Sequence, residues 1–234
     1  MNESDTDTAR NAGASLFTDV KLTDKTAIIF DMDGVVIDSE ALHERASRAA
    51  FSRHGIDVQE ALFVDFKGKT ERAVVEYVLD LYEQPAELLE EVLELKRLSY
   101  ASFIDELQPI PGVMAFLKQV VASHRLALTT SASRRNQTLA FEKFDLHPFF
   151  EVVITSNDIT RPKPDPEPYL VTAERLGLAP EACLVIEDST NGVRSAAAAG
   201  CVVVGITTSF ESDALAEAGA DAIVESYEQL LDLL

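Results

Sequence analysis

The chain is short of positive charge. Its 234 residues carry 20 Lys and Arg against 40 Asp and Glu, a formal net charge of −20, and only eight of the basic residues are lysine. Nucleic acids and anionic membrane surfaces both need a basic patch, so neither is expected as a partner. Any anionic ligand must be drawn by local positive groups rather than by the overall field. Long apolar runs are missing too. None approaches the ~18 residues of a membrane-spanning helix, and mean hydropathy is close to zero. No charged-then-apolar amino-terminal segment with a cleavage site is visible, so secretion is not expected and a cytoplasmic location is. Cysteine is scarce: Cys183 and Cys201 lie near the starts of two neighbouring candidate strands. In a cytosolic α/β protein such a pair is expected to be two buried thiols rather than a disulfide or a metal site. Internal repeats are absent.

What remains is ample for a packed interior, with 47% of residues apolar. The length suits one large domain, or a core with a modest second module. Residues 1–22 are polar, small and without a sustained period, and read as a flexible tail. A short apolar strand follows over 26–30. Helical periodicity then dominates from about 40 to 107, with helices expected over 40–54, 71–82 and 86–106, separated by Gly55 and by Gln84-Pro85. Pro109-Ile110-Pro111-Gly112 breaks that block. Strand–helix alternation takes over, with strands near 125–130, 151–155, 183–187, 201–206 and 222–224, the pattern of a parallel sheet. The expectation is an α/β core over 23–39 and 108–234, with an all-helical cap over 40–107 inserted after the first strand.

The first strand, Ala27-Ile28-Ile29-Phe30, delivers Asp31-Met32-Asp33-Gly34. Extended backbone alternates its side chains, so Asp31 and Asp33 emerge on one side and Met32 on the other. Two carboxylates held so close repel unless a cation, a shared proton or a substrate uses both. The pair suits a carboxylate nucleophile beside a carboxylic general acid/base, with a divalent metal keeping the first ionised. Gly34 lets the chain turn where a side chain would crowd the site.

Three later strand ends add parts in order. Arg125-Leu126-Ala127-Leu128-Thr129 leads into Thr130, Ser131, Ala132 and Ser133, donors for a phosphate or caps for the next helix. The strand near 151–155 precedes Arg161-Pro162-Lys163-Pro164-Asp165-Pro166, where flanking prolines hold one ammonium on a stiff backbone. Cys183-Leu184-Val185-Ile186 ends in Glu187-Asp188. In open α/β sheets ligands bind beyond the carboxyl ends of the strands. If the strands are parallel, all four segments converge there.

FDMDGVVIDS, LTTSAS, RPKPDPEPY and VIEDSTNGV resemble the four motifs of the haloacid dehalogenase-like hydrolase superfamily, most closely its branch of small phosphatases and beta-phosphoglucomutase. The resemblance runs from about Lys25 onward. It implies a Rossmann-like three-layer core with an inserted helical cap, and a small phosphorylated substrate. It also implies Asp31 as nucleophile, Asp33 as general acid/base, and Thr130 and Lys163 on the phosphoryl oxygens. Magnesium would be held by Asp31, the backbone carbonyl of Asp33, and Asp188, with Glu187 beside them. Because Asp33 and the Glu187-Asp188 pair are present, phosphoryl transfer is favoured over carbon–halogen cleavage.

Substrate selection is expected from the cap, through Lys67, Gly68, Lys69 and Thr70, a basic stretch in an otherwise acidic module where Thr70 is also a natural helix N-cap. His43, Ser131, Ala132 and Arg134 are further candidates, with Lys96 and Asn136 behind them. In beta-phosphoglucomutase the similar loop carries an arginine for the substrate's distal phosphate; that place falls on Glu71, with Arg72 next to it. The preferred expectation is a phosphatase of a small metabolite such as a sugar phosphate, monomeric or a weak dimer. A sugar phosphomutase, an inorganic pyrophosphatase and a non-enzymatic binding module are the alternatives.

Overall fold

A computed structural model describes residue 22, residues 24–66 and residues 69–234. The expected tail over 1–22 therefore lies outside the described residues, except for Leu22, which is buried against the core. The chain opens with β1 (Ala27–Phe30), β2 (Ile37–Asp38), α1 (Glu40–Ser52), α2 (Leu62–Phe66), α3 (Glu71–Leu81), α4 (Leu89–Ser102) and β3 (Gln108–Pro109). It continues through α5 (Val113–Val120), β4 (Arg125–Thr129), α6 (Arg134–Phe144), β5 (Val152–Ile154), α7 (Glu167–Leu176) and β6 (Cys183–Glu187). The last elements are α8 (Thr190–Ala199), β7 (Val202–Ile206), α9 (Ser212–Ala218), β8 (Ala222–Val224) and α10 (Tyr227–Leu231).

Six strands form one parallel sheet in the order β5-β4-β1-β6-β7-β8. Its central strands are apolar on both faces because both faces are covered, which is why they read as continuous runs rather than alternating ones. Ile28 pairs in register with Leu126 on one side and Leu184 on the other. These residues, with Phe30, Leu128 and Ile186, pack under Phe116 and Leu117 of α5, Phe141 of α6 and Leu230 of α10. The alternate residues Ala27, Ile29, Ala127 and Val185 face Tyr169 and Ala173 of α7 and Val193 of α8. The result is the three-layer α/β core that the alternation implied.

Helices α1 to α4 have a separate apolar centre, which includes Phe51, Val75, Val78 and Leu93. They are inserted between β2 and β3, two short strands that pair antiparallel, Ile37 with Pro109 and Asp38 with Gln108. The two crossings into the helical insert are thus bonded side by side, and Ile110 N–H donates to the Val36 carbonyl at 3.0 Å. The expected helix over 86–106 is divided. Single 3₁₀ turns at Ala86–Leu88 and Ile104–Glu106 flank α4, and Phe103 (φ −98°, ψ 1°) ends it.

Phe30 anchors the larger core face, edge-on to Phe116 and Phe150 with ring centroids 6.1 and 5.7 Å apart. Phe30→Ala is expected to lower unfolding free energy by about 3–5 kcal/mol through lost transfer and the cavity left behind. Chemical denaturation checks this; a loss below about 1 kcal/mol would show that the surrounding rings collapse into the gap.

Candidate active site

Because the central strands are parallel, their carboxyl ends share one edge of the sheet. There β1 releases Asp31, β4 releases Thr130, and β6 ends in Glu187 with Asp188 next. Asp31 N–H still donates to the Ile186 carbonyl at 3.0 Å, so the side chain leaves from backbone held by the neighbouring strand. Lys163 comes from the loop after β5. Its Nζ donates to Asp31 Oδ1 and Glu187 Oε1, both at 2.6 Å, and to the Thr129 carbonyl at 3.1 Å. All of its three donors are used, and the ammonium is almost wholly buried.

Glu187 is 0% exposed and fully engaged. Oε1 accepts from Lys163 and from the Tyr169 hydroxyl (2.7 Å). Oε2 accepts from Asp188 N, Ser189 N and Ser189 Oγ. Its oxygens are thus all engaged by donors of the protein itself. Gly192 makes this possible: a Cβ there would lie 1.8 Å from Glu187 Oε1. Gly34, at φ +77°, does the same for Asp188, whose Oδ2 would be 1.9 Å from an added Cβ.

Three buried carboxylates therefore share one ammonium. Burial pushes Asp31 up to about 8, with Lys163 pulling it down and Glu187 and Asp33 pushing it further up. Asp188 is raised well above the usual carboxylate range by burial and by the charges of Glu187 and Asp31, against a hydrogen bond from Ser209. For Lys163, burial opposes the charge, yet Asp31 and Glu187 outweigh it and the ammonium is held above its ordinary range. Oxygens of Asp31, Glu187 and Asp188 lie within 4.8 Å of one another, the one such cluster among the described residues. Excess buried negative charge in an all-oxygen donor set fits a hard divalent cation such as magnesium.

Asp33 turns the other way, toward the insert. Ser39 Oγ donates to its Oδ1 at 2.5 Å and His43 Nε2 at 3.1 Å, while Thr130 Oγ1 stands 3.5 Å from Oδ2. Burial works against its ionisation, but the bond and charge of His43 and the Ser39 hydroxyl outweigh it and hold Asp33 below the ordinary range. The His43 ring stacks on Tyr100 at 4.4 Å, and its Nδ1 is buried without a partner.

A cavity of about 410 Å³ opens above these groups, lined by Asp31, Asp33, Lys163 and Asp188 from the core and by residues of the insert. Of the other candidates, His43, Lys69, Ser131, Ala132 and Lys96 line it. Lys67 and Gly68 lie outside the described residues. Thr70 and Arg134 do not line it. The Thr70 hydroxyl accepts from Ala73 N at 3.3 Å as the N-cap of α3, so it is occupied by the helix. Arg134, in the first turn of α6, points along the surface to an ion pair with Asp158, and its backbone N–H donates to Asn157 Oδ1. Thr130 is buried next to Asp33, its Oγ1 also accepting from Ala132 N at 2.9 Å. Asn136 reaches Glu71 rather than the phosphoryl end, donating from Nδ2 to Oε1 at 3.0 Å. The sequence reading gave no role to Ser39, Tyr169 or Ser209, and gave Ser189 only that of a helix cap, which it fills. Ser39 at a helix start and Tyr169 inside the RPKPDPEPY motif carried the only signals.

The chain matches haloacid dehalogenase-like hydrolases over residues 28–206. It belongs to that family. Among its relatives, the phosphorylated carbohydrates phosphatase of Thermotoga maritima is 34% identical over 89% of this chain and 97% of its own length. Hexitol phosphatase A of Escherichia coli is 32% identical over 86% of this chain and 91% of its own. Of solved structures, a hydrolase from Pseudomonas syringae superposes with a TM-score of 0.79 at 23% identity, covering 89% and 97% of the two chains. CbbY from Rhodobacter sphaeroides in complex with phosphate gives 0.78 at 24%, covering 88% and 96%. Both likenesses show the shared fold. Among the described residues no helix of this family member is long and apolar enough to cross a membrane.

Removing the lysine tests the charge arrangement. With chelator present and at pH 9, above the value near 8 to which Asp31 is raised, Lys163→Ala leaves Asp31 and Glu187 without a counter-ion and is expected to cost about 3–5 kcal/mol of stability. Urea unfolding at that pH measures it, and a loss under about 1 kcal/mol would mean that the two carboxylates are not ionised together.

Proposed function

We propose that this protein is a magnesium-dependent phosphatase of phosphorylated carbohydrates that works through an aspartyl-phosphate on Asp31. The observation that carries the reading is Lys163 bound to Asp31 and Glu187 at 2.6 Å at the floor of a cavity that Asp33 also lines. The names of the Thermotoga maritima and Escherichia coli relatives support a sugar-type ester as substrate.

In this reading Asp31 attacks phosphorus in line, forming an acyl phosphate while the bond to the substrate oxygen breaks. Asp33 delivers a proton to the departing alcohol. It is an ionised acceptor in the free site, so it takes up that proton as the dianionic ester arrives, because nearby negative charge favours the neutral acid. His43 and Ser39 hold the same carboxyl in line through the transfer. Asp33 then accepts a proton from water, which attacks the acyl phosphate and regenerates Asp31. Lys163 favours the ionised form of Asp31, against the burial that raises it, and balances charge on the phosphoryl oxygens. Asp31 and Asp188, with Glu187 behind them, would hold magnesium. When bound it supplies positive charge to the transferring phosphoryl group. The helical insert serves as the cap that excludes bulk water from the cavity.

Asp31→Asn is expected to abolish phosphate release while leaving the melting temperature within a few degrees, since Glu187 and the Thr129 carbonyl still hold Lys163. Release from a panel of sugar phosphates, with and without magnesium, checks both statements. Turnover by the Asn variant, or undiminished wild-type turnover after chelation, would overturn the mechanism.

A further inference from the structure

Helix α7 begins four residues after Lys163 and carries Tyr169 in its first turn. Tyr169 is fully buried and belongs to the same apolar cluster as Ala27, Ile29, Ala127 and Val185. A phenylalanine would fill that place equally well, and a buried hydroxyl costs free energy unless it is bonded. This one is bonded: it donates to Glu187 Oε1 at 2.7 Å, and its ring centroid lies 4.9 Å from Lys163 Nζ. One turn along α7, the Thr172 hydroxyl lies 2.6 Å from that of Thr129, whose carbonyl also accepts from Lys163. One face of α7 therefore backs two of the three acceptors of the lysine.

Lys163 Nζ stands 2.6 Å from both Asp31 Oδ1 and Glu187 Oε1, so two carboxylates compete for one ammonium. When Asp31 becomes an acyl phosphate it gives up its negative charge, while Glu187 keeps its own. Coulomb attraction across a buried site would then draw the ammonium onto Glu187 and away from the phosphoryl oxygens. The Tyr169 hydroxyl opposes that shift in two ways. It fills one acceptor position of Oε1, which leaves Lys163 a single direction of approach. It also offsets part of the charge that pulls the lysine, because donation to an ionised acceptor is strong. Oε2 is secured separately by Asp188 N, Ser189 N and Ser189 Oγ, so Oε1 is the atom at which lysine and tyrosine meet.

We propose that Tyr169 is a positioning residue for the reaction: by sharing Glu187 Oε1 with Lys163, its hydroxyl keeps the ammonium directed at Asp31 and the phosphoryl group instead of letting it settle on Glu187. The inference rests on the phosphatase reading above and adds to it a residue that acts through the lysine. The hydroxyl matters most when charge moves from Asp31 to the phosphoryl oxygens, so its loss falls on the chemical step rather than on substrate binding.

The test is Tyr169→Phe, which keeps the ring and its packing and removes the hydroxyl alone. Phosphate release from a sugar phosphate by the magnesium-loaded protein is expected to show kcat lowered about tenfold, the worth of one hydrogen bond to a charged group. KM is expected to stay within about twofold, as for an interaction made chiefly in the transition state. Leu176→Ala is the control for a loosened helix. Leu176 is buried at the other end of α7, where its carbonyl accepts from Arg125, and its loss is expected to lower the melting temperature without changing kcat. In a Glu187→Gln background the Tyr169→Phe effect is expected to vanish, whereas independent effects would multiply. An unchanged kcat in Tyr169→Phe, an equal fall in Leu176→Ala, or multiplying effects would overturn the inference by itself. If Glu187→Gln shows no turnover, the two single variants decide. If the Phe variant does not fold, 3-fluorotyrosine at position 169, a stronger donor of similar size, is expected to raise kcat, and a value at or below that of the wild type would overturn the proposal. No phosphate release by the wild type from any ester would sink the phosphatase reading and this inference with it.

Discussion

The site depends on one buried ammonium. Among the described residues Lys163 is the cation bonded within a cluster of three carboxylates, and it is held by acceptors at the end of β1, in β4 and in β6. Burying a carboxylate alone is prohibitive, and burying several without compensation more so. The lysine makes the arrangement foldable, and the remaining negative charge makes it a cation site. Two glycines, Gly34 and Gly192, leave the space into which Asp188 and Glu187 fit. Tyr169 and Ser189 then fix Glu187, so the lysine is aimed rather than merely neutralised.

The sheet supplies the convergence. Parallel strands bring their carboxyl ends to one edge, and the helices that follow begin at that edge, with Ser133 and Ser189 capping α6 and α8. Helix starts present N–H groups and positive dipole ends there, a favourable setting for a phosphoryl anion. These local sources of positive potential matter in a chain with a net charge of −20.

Much of this was legible in the residues. Apolar runs such as Ala27-Ile28-Ile29-Phe30 and Cys183-Leu184-Val185-Ile186 could only be strands covered on both faces, and what ended them was chemistry rather than turn formers. The helical block between the first strand and the rest announced an insertion. Features too short to carry a period were not legible: the paired β2 and β3, of two residues each, and the five-residue α2. Partner choice was not legible either. Arg134 follows a Ser/Thr cluster and looked available, but the first turn of α6 sends it to Asp158. Glu187 was expected beside the metal ligands, and only the bonds from Lys163, Tyr169 and Ser189 show how its oxygens are allotted. Glu71 read as a departure from a family pattern, and its bond to Asn136, 65 residues away, gives it a structural setting.

The central claim is that a lysine-clamped Asp31 becomes esterified during turnover. Borohydride trapping of the magnesium-loaded enzyme during hydrolysis of a sugar phosphate, followed by peptide mass spectrometry, tests it most directly, because borohydride reduces an acyl phosphate to an alcohol. The account predicts homoserine in place of Asp31, only when substrate is present. Recovery of unmodified Asp31 from enzyme in full turnover, or reduction at a different carboxylate, would contradict it.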